Sequence, residues 1–264
     1  MAVLASTITS FAAIGVPTAV GNFDLFESTT AAKLPLGFKV EDVSGNIYRW
    51  GHFGAATTSG LVVSQDISES TVADSDNVIL APASCVNTTD GTIGSRFVEI
   101  TLATVTANQY AGGKFITTDD AGEGYTYPII GNTATDDPAS GTIRLELGKP
   151  LQVALTAATD FTIIGNPYGN LEPATAATDF VPVGVALATQ AADDYGWVQT
   201  KGTVGIYSTT TGADTIVTAA KGIKVSAVTA GTVTSATATN DNVFGYCITA
   251  PDTTGMGGYK INCE

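Results

Sequence analysis

The sequence predicts an all-β protein: two β-rich modules (barrel or sandwich) preceded by an extended N-terminal arm. Three observations predict it. Short segments alternate apolar and polar residues with a period of two. Threonine, a β-branched strand former, is conspicuous, whereas the helix formers Lys, Glu, Arg, Gln and Met are scarce. The 29 Gly and 10 Pro divide the 264 residues into short stretches separated by turns.

Residues 1–35 read as the arm, with small and hydroxyl-bearing residues and no sustained period. Phe23, Leu25 and Phe26 form an apolar cluster that is expected to dock on a core or a neighbouring subunit rather than stay in water. A first module is expected over 36–175. Phe38–Val43 and Ile47–Trp50, joined by Ser44-Gly45-Asn46, read as a hairpin. Leu61–Ser64 and Val78–Leu80 are short strands. Phe97–Thr106 alternates Val98, Ile100 and Leu102 with Glu99 and Thr101. Thr142–Leu147 turns Ile143, Leu145 and Leu147 inward, with Arg144 and Glu146 outward. Lys114–Thr117 and Phe161–Ile164 are further strands, and Leu151–Ala158 fits a short helix or a strand. The Pro/Ala/Thr stretch Glu172–Asp179 marks a boundary. A second module is expected over 180–264, with strands at Val181–Ala188, Gly196–Thr200, Val204–Tyr207, Ile223–Val228, Gly231–Thr237 and Val243–Thr249.

Charge limits the partners. The chain has 11 Lys+Arg against 25 Asp+Glu, a net charge of -14, yet only 14% of residues are charged and 44% are hydrophobic. The apolar content excludes a disordered acidic tail. The acidity and the lack of any basic run exclude nucleic acid and an anionic membrane as partners. Met1–Asn22 contains no basic residue and does not read as a secretory signal. Cys85, Cys247 and Cys263 are too scattered for a disulfide framework or a zinc site and read as idle thiols.

Chemistry finds little support. His52, the single histidine, lacks the nucleophile elbow that a Ser–His–Asp triad would need. The acidic loops Asp74/Asp76/Asn77, Asp119/Asp120/Glu123, Asp136/Asp137, Asp193/Asp194 and Asn240/Asp241/Asn242 do not match a calcium loop and read as capped turns. Gly122-Glu123-Gly124 and Gly255-Met256-Gly257-Gly258 lack a phosphate-loop context and read as turns. No metal, cofactor or catalytic residue is expected, and the protein is read as a non-enzyme. Tyr125-Thr126-Tyr127, Tyr168 and Tyr195-Gly196-Trp197 suit core packing first, then a subunit interface, then a sugar platform. Phe23, Leu25, Phe26, Tyr168, Tyr195 and Trp197 are the interface candidates.

Several stretches resemble head structural proteins of tailed bacteriophages, especially capsid decoration (cement) proteins. They are Leu34-Pro-Leu-Gly-Phe38 through Gly45-Asn-Ile-Tyr-Arg-Trp50 to Gly60-Leu61, then Asn108-Gln-Tyr-Ala-Gly-Gly-Lys114 with Gly122-Glu-Gly-Tyr-Thr-Tyr127 and Ile130-Gly-Asn132. Gly165-Asn-Pro-Tyr168, Val183-Gly-Val-Ala186 and Tyr195-Gly-Trp-Val-Gln-Thr-Lys-Gly202 complete the set. The likeness spans most of 34–202 as strand-and-turn patterns and does not extend into 203–264. It implies a virion structural protein on the outer capsid surface, assembled in the host cytoplasm, with the major capsid protein as partner and a homotrimer as its own state. A tail or fibre protein contacting the host surface is the alternative.

Overall fold

The computed structural model describes residues 23–66, 79–84, 91–102, 105–135, 141–175, 180–209, 221–236, 242–251 and 254–264. These contain strands and turns and no helix, so the chain is all-β. Four strands come first: β1 (Ser28–Thr29), β2 (Lys39–Glu41), β3 (Ile47–Phe53) and β4 (Val62–Asp66). Six follow: β5 (Ile79–Ser84), β6 (Phe97–Thr101), β7 (Lys114–Asp119), β8 (Thr126–Asn132), β9 (Thr142–Leu147) and β10 (Asp160–Ile164). The last seven are β11 (Leu171–Pro173), β12 (Phe180–Ala186), β13 (Asp194–Ser208), β14 (Gly222–Val225), β15 (Val233–Ser235), β16 (Gly245–Thr249) and β17 (Gly255–Asn262).

Packing groups these strands differently from the consecutive modules expected at 36–175 and 180–264. One compact unit joins the residues up to Gln65 with those from Leu171 onward, and residues 66–170 form a second unit inserted between them. The entry and exit strands of the insertion are hydrogen-bonded neighbours, Gln65 opposite Leu171. The composition shift at Glu172–Asp179 begins beside the exit of the insertion, whereas its entry after Gln65 lies in an ordinary strand and leaves no mark in composition.

In the first unit two closed circuits of strands share β13. Its C-terminal half pairs with β17, which pairs with β16, then β14, then β15, and β15 returns to Ser208 of β13. Its N-terminal half pairs with β3 and β12, and the second circuit runs β12–β4–β11–β3. Gly196–Thr200 and Val204–Tyr207, expected as two strands, are thus one strand of 15 residues. The hand-over falls at a register shift between Gln199 and Lys201. Gly202 beside it has φ +106°, and a Cβ there would overlap Asn46 Oδ1, the acceptor of the Thr203 amide at 3.1 Å. Only glycine meets both demands. Alternation along β13, β14, β16 and β17 turns Ile206, Ile223, Val225, Cys247, Tyr259 and Ile261 into one apolar core.

The hairpin expected around Ser44-Gly45-Asn46 forms as β2–β3, with Val40 opposite Tyr48. Asp42 knots its turn by accepting from the Ser44 and Asn46 amides, Asn46 Nδ2 and Tyr48 Oη. Burial works against the Asp42 carboxylate, but these donors outweigh it and hold its pKa below the usual range. The same burial and the neighbouring carboxylate push Tyr48 up to about 12.

The inserted unit is a six-stranded sheet in the order β5–β10–β7–β8–β9–β6. Its alternation is as expected: Val98, Ile100, Ile143, Leu145 and Leu147 are buried, Arg144 and Glu146 exposed. Leu151–Ala158 is neither helix nor strand. Leu151 and Leu155 are buried there, and their amides donate to Ser95 O and Gly91 O at 2.8 Å each. Strand β8 escaped the sequence pattern because Pro128 and Gly131 interrupt it. Pro128 still serves through its carbonyl, which accepts from Gly148 N at 2.7 Å.

One expected turn is a strand. Gly255–Gly258 opens β17, where bare backbone is needed for close approach: a Cβ on Gly257 would lie 2.8 Å from Thr249 O.

Candidate functional site

The interface candidates separate once folded. Trp50 and Trp197 lie directly opposite on β3 and β13, and their rings meet edge to face at 5.2 Å. Phe23 packs edge-on against Trp197 at 5.5 Å and tilted against Phe38 at 6.1 Å. Leu25, Val40 and Tyr48 close the cluster, with Tyr195 packed against it. Trp197 is 1% exposed and Leu25 8%, so neither presents a surface to another subunit; both hold the arm to its own chain. The sequence left open whether the arm docks on its own module or on a neighbour, and for the described residues 23–35 it is its own.

Phe26 goes the other way. Asp24 caps a tight turn, accepting the Phe26 amide on Oδ1 and the Glu27 amide on its carbonyl, and this throws Phe26 outward at 71% exposure. Tyr168, in the inserted unit, is half-buried on a turn held by Asn166 Oδ1. Tyr127 packs against Phe115 inside that unit's core, while Tyr125 remains partly exposed.

The arm is latched by backbone as well as rings. Ser28 and Thr29 pair with Gly196 and Tyr195, and Ser28 Oγ donates to Asp194 Oδ2 at 2.8 Å. Gln190, 1% exposed, lies across Gly196 and donates Nε2 to Glu27 O at 3.2 Å. A Cβ on Gly196 would overlap that Nε2. Gly196→Ala is therefore expected to displace Gln190, cost about 1–3 kcal/mol in urea unfolding, and speed amide exchange at Glu27–Thr29.

A second anchor joins Glu264 to β3. Arg49 donates Nε and Nη2 to the two carboxylate oxygens at 2.9 and 2.8 Å, Thr200 Oγ1 donates to Oε1, and Arg49 Nη1 reaches Gly37 O at 3.0 Å. The Arg49 fork holds the Glu264 carboxyl down at about 2, against the opposing effect of burial. A carboxylate with a lowered folded pKa stabilises fully above its ordinary value of 4.5 and loses that contribution as pH falls towards 2. Glu264→Gln is expected to cost about 1.5–3 kcal/mol near neutrality. It should also flatten the stability loss between those two pH values, measured by urea titration at each pH.

The other candidates lie in turns and at a strand end. His52 Nε2 stands 3.9 Å from Asp193 Oδ1 and its ring 4.7 Å from Tyr195, beyond hydrogen-bond reach of the carboxylate. Asp119 and Asp120 cap their own turn, and Thr156 Oγ1 donates to Asp120 Oδ2 at 2.9 Å. Among the described residues, no group of three or more His, Cys, Asp or Glu could hold a metal, and no helix is long and apolar enough to cross a membrane. Asp74/Asp76/Asn77, Asp136/Asp137, Asn240/Asp241 and Cys85 lie outside the described residues. Burial pushes the Cys247 thiol up, and burial beside Glu264 takes Cys263 to about 12, so both thiols stay protonated at neutral pH.

A cleft of about 260 Å³ in the inserted unit is lined by Phe97, Asn108, Gly131, Asn132, Arg144 and Glu146 among others. Its polar groups already serve the fold: the Asn132 amide takes the Tyr110 N–H and donates to Thr106 O and Thr133 O, while the Arg144 guanidinium covers the Phe97 ring at 3.9 Å. Sequence reasoning passed over this cleft, and its only signal was Gly131 next to Asn132 within a strand.

No protein family, no curated protein and no solved structure matches the chain.

Proposed function

We propose that this chain is a virion structural protein that binds the outside of a phage capsid lattice and stabilises it, a decoration or cement protein. The observation that carries the reading is the union of a net charge of -14 with a body that is helix-free among the described residues and in which residues 23–35 and the C-terminal segment are both tied down. Such a body is repelled by packaged DNA and suits an outer face, where a rigid clamp resists swelling of the shell. The strand-and-turn resemblance over 34–202 supports the same placement, with the major capsid protein as partner. Since Leu25 and Trp197 serve the protein's own core, the lattice contact falls to side chains left outside, Phe26 among them.

The test is addition of the purified protein to heads that lack it. Expected are saturable binding to the head shell, visible by electron cryo-microscopy, and a higher rupture temperature of the decorated heads. Failure to bind heads, or binding to tails or fibres instead, overturns the reading; the latter outcome would favour host-surface contact.

A further inference from the structure

We propose that the outer wall formed by β16, β17 and the C-terminal half of β13 is the surface through which copies of this chain associate with one another. The strand register defines the wall. While Ile206, Cys247, Tyr259 and Ile261 point into the core, Tyr207 stands beside Met256, and Tyr246 stands beside Lys260. Between them Gly205 pairs with Gly258, and the side chains of Met256 and Thr249 lie beside these two glycines. Tyr207, Tyr246, Ile248 and Met256 are 39%, 46%, 43% and 48% exposed. A solvent-facing sheet normally carries threonine and charged residues at such positions. Two tyrosines, an isoleucine and a methionine gathered on one face have the composition of an interface core.

Charge names the occupant. The whole excess of acid lies in residues 1–200, with seven Lys and Arg against twenty-one Asp and Glu. Residues 201–264 are balanced: Lys201, Lys221, Lys224 and Lys260 against Asp214, Asp241, Asp252 and Glu264. On the wall itself Lys201 and Lys260 are the charged side chains among the described residues, and Glu264 is committed to Arg49. Two copies meeting body to body would set one acidic surface against another. An apolar wall carrying lysines meets the acidic body of the next copy without that repulsion, and Lys260 finds a carboxylate there. The complementarity is between two different patches of one chain, so the contact is head-to-tail, and contacts of that kind close into rings such as a trimer.

The inference stands apart from the capsid reading, because it concerns the protein alone in solution. The test is sedimentation velocity of the full chain over a wide concentration range, with Tyr246→Asp, Met256→Asp and Lys260→Glu variants and a Phe26→Asp control. The wild type is expected to form a closed oligomer. Tyr246→Asp and Met256→Asp should each weaken it by about thirty-fold or more, as loss of an interface anchor does. Lys260→Glu should weaken it most at low salt, and Phe26→Asp should leave it unchanged. Thermal melting unchanged in each variant shows that the fold survives. A wild type that stays monomeric at every concentration overturns the proposal, as does an oligomer indifferent to the wall variants or one abolished by Phe26→Asp. If the wild type is monomeric and the wall variants lose binding to heads, the wall belongs to the lattice and self-association is refuted.

Discussion

Truncating Trp197 to alanine is expected to cost about 3–5 kcal/mol, the range for large aromatic side chains removed from a core. The site cannot collapse to fill the gap. Trp50 opposes it across the β3–β13 ladder, and Phe23 reaches it from the arm. The loss therefore removes two edge-to-face contacts along with the buried area. Equilibrium unfolding in urea would measure it, and the arm should report it too: protection of the Thr29 amide should fall together with global stability. A cost below about 1 kcal/mol would mean that the arm, rather than the tryptophan pair, holds this face closed.

Leu145→Ala should cost about 2–5 kcal/mol. Leu145 is fully buried, stands opposite Val98 of β6 on one side and Asn132 of β8 on the other, and belongs to the continuous apolar cluster of the inserted unit. Arg144→Ala, one position along and facing outward, serves as the control. It gives up the contact with Phe97 and should lose about 0.5–1 kcal/mol. Near-equal losses at the two positions would show that β9 is not the half-buried strand described here.

What the sequence discloses and what it conceals follow from the range of the forces involved. Strand β9 was readable to the residue because its alternation depends only on having one wet face and one dry one. The β2–β3 hairpin was readable because its turn chemistry is local. Strand β8 was hidden by Pro128, and β17 by its glycines, of which Gly257 and Gly258 show their purpose only when Thr249 and Tyr259 close over them. The unbroken run of β13 depends on Asn46, more than a hundred residues earlier, occupying the space above Gly202. The same distinction governs the site. Tyr195-Gly196-Trp197 was recognisable as aromatic and close-packed, but its side of the sheet is decided by Trp50 and by Gln190 lying on Gly196. Met256 was read as part of a turn and Tyr246 as part of a short strand, and they gather into a surface only through the register of three strands.

The sharing of β13 sets how the first unit comes apart. Both circuits close through this strand, so losing β13 as a whole opens both at once. Neither circuit retains a closed ladder as an independent remnant, and partial opening from within is disfavoured. The amide protons of β13 should be among the slowest in the protein to exchange with solvent, at a rate governed by global unfolding, while β1 and β2 at the periphery exchange through local fraying.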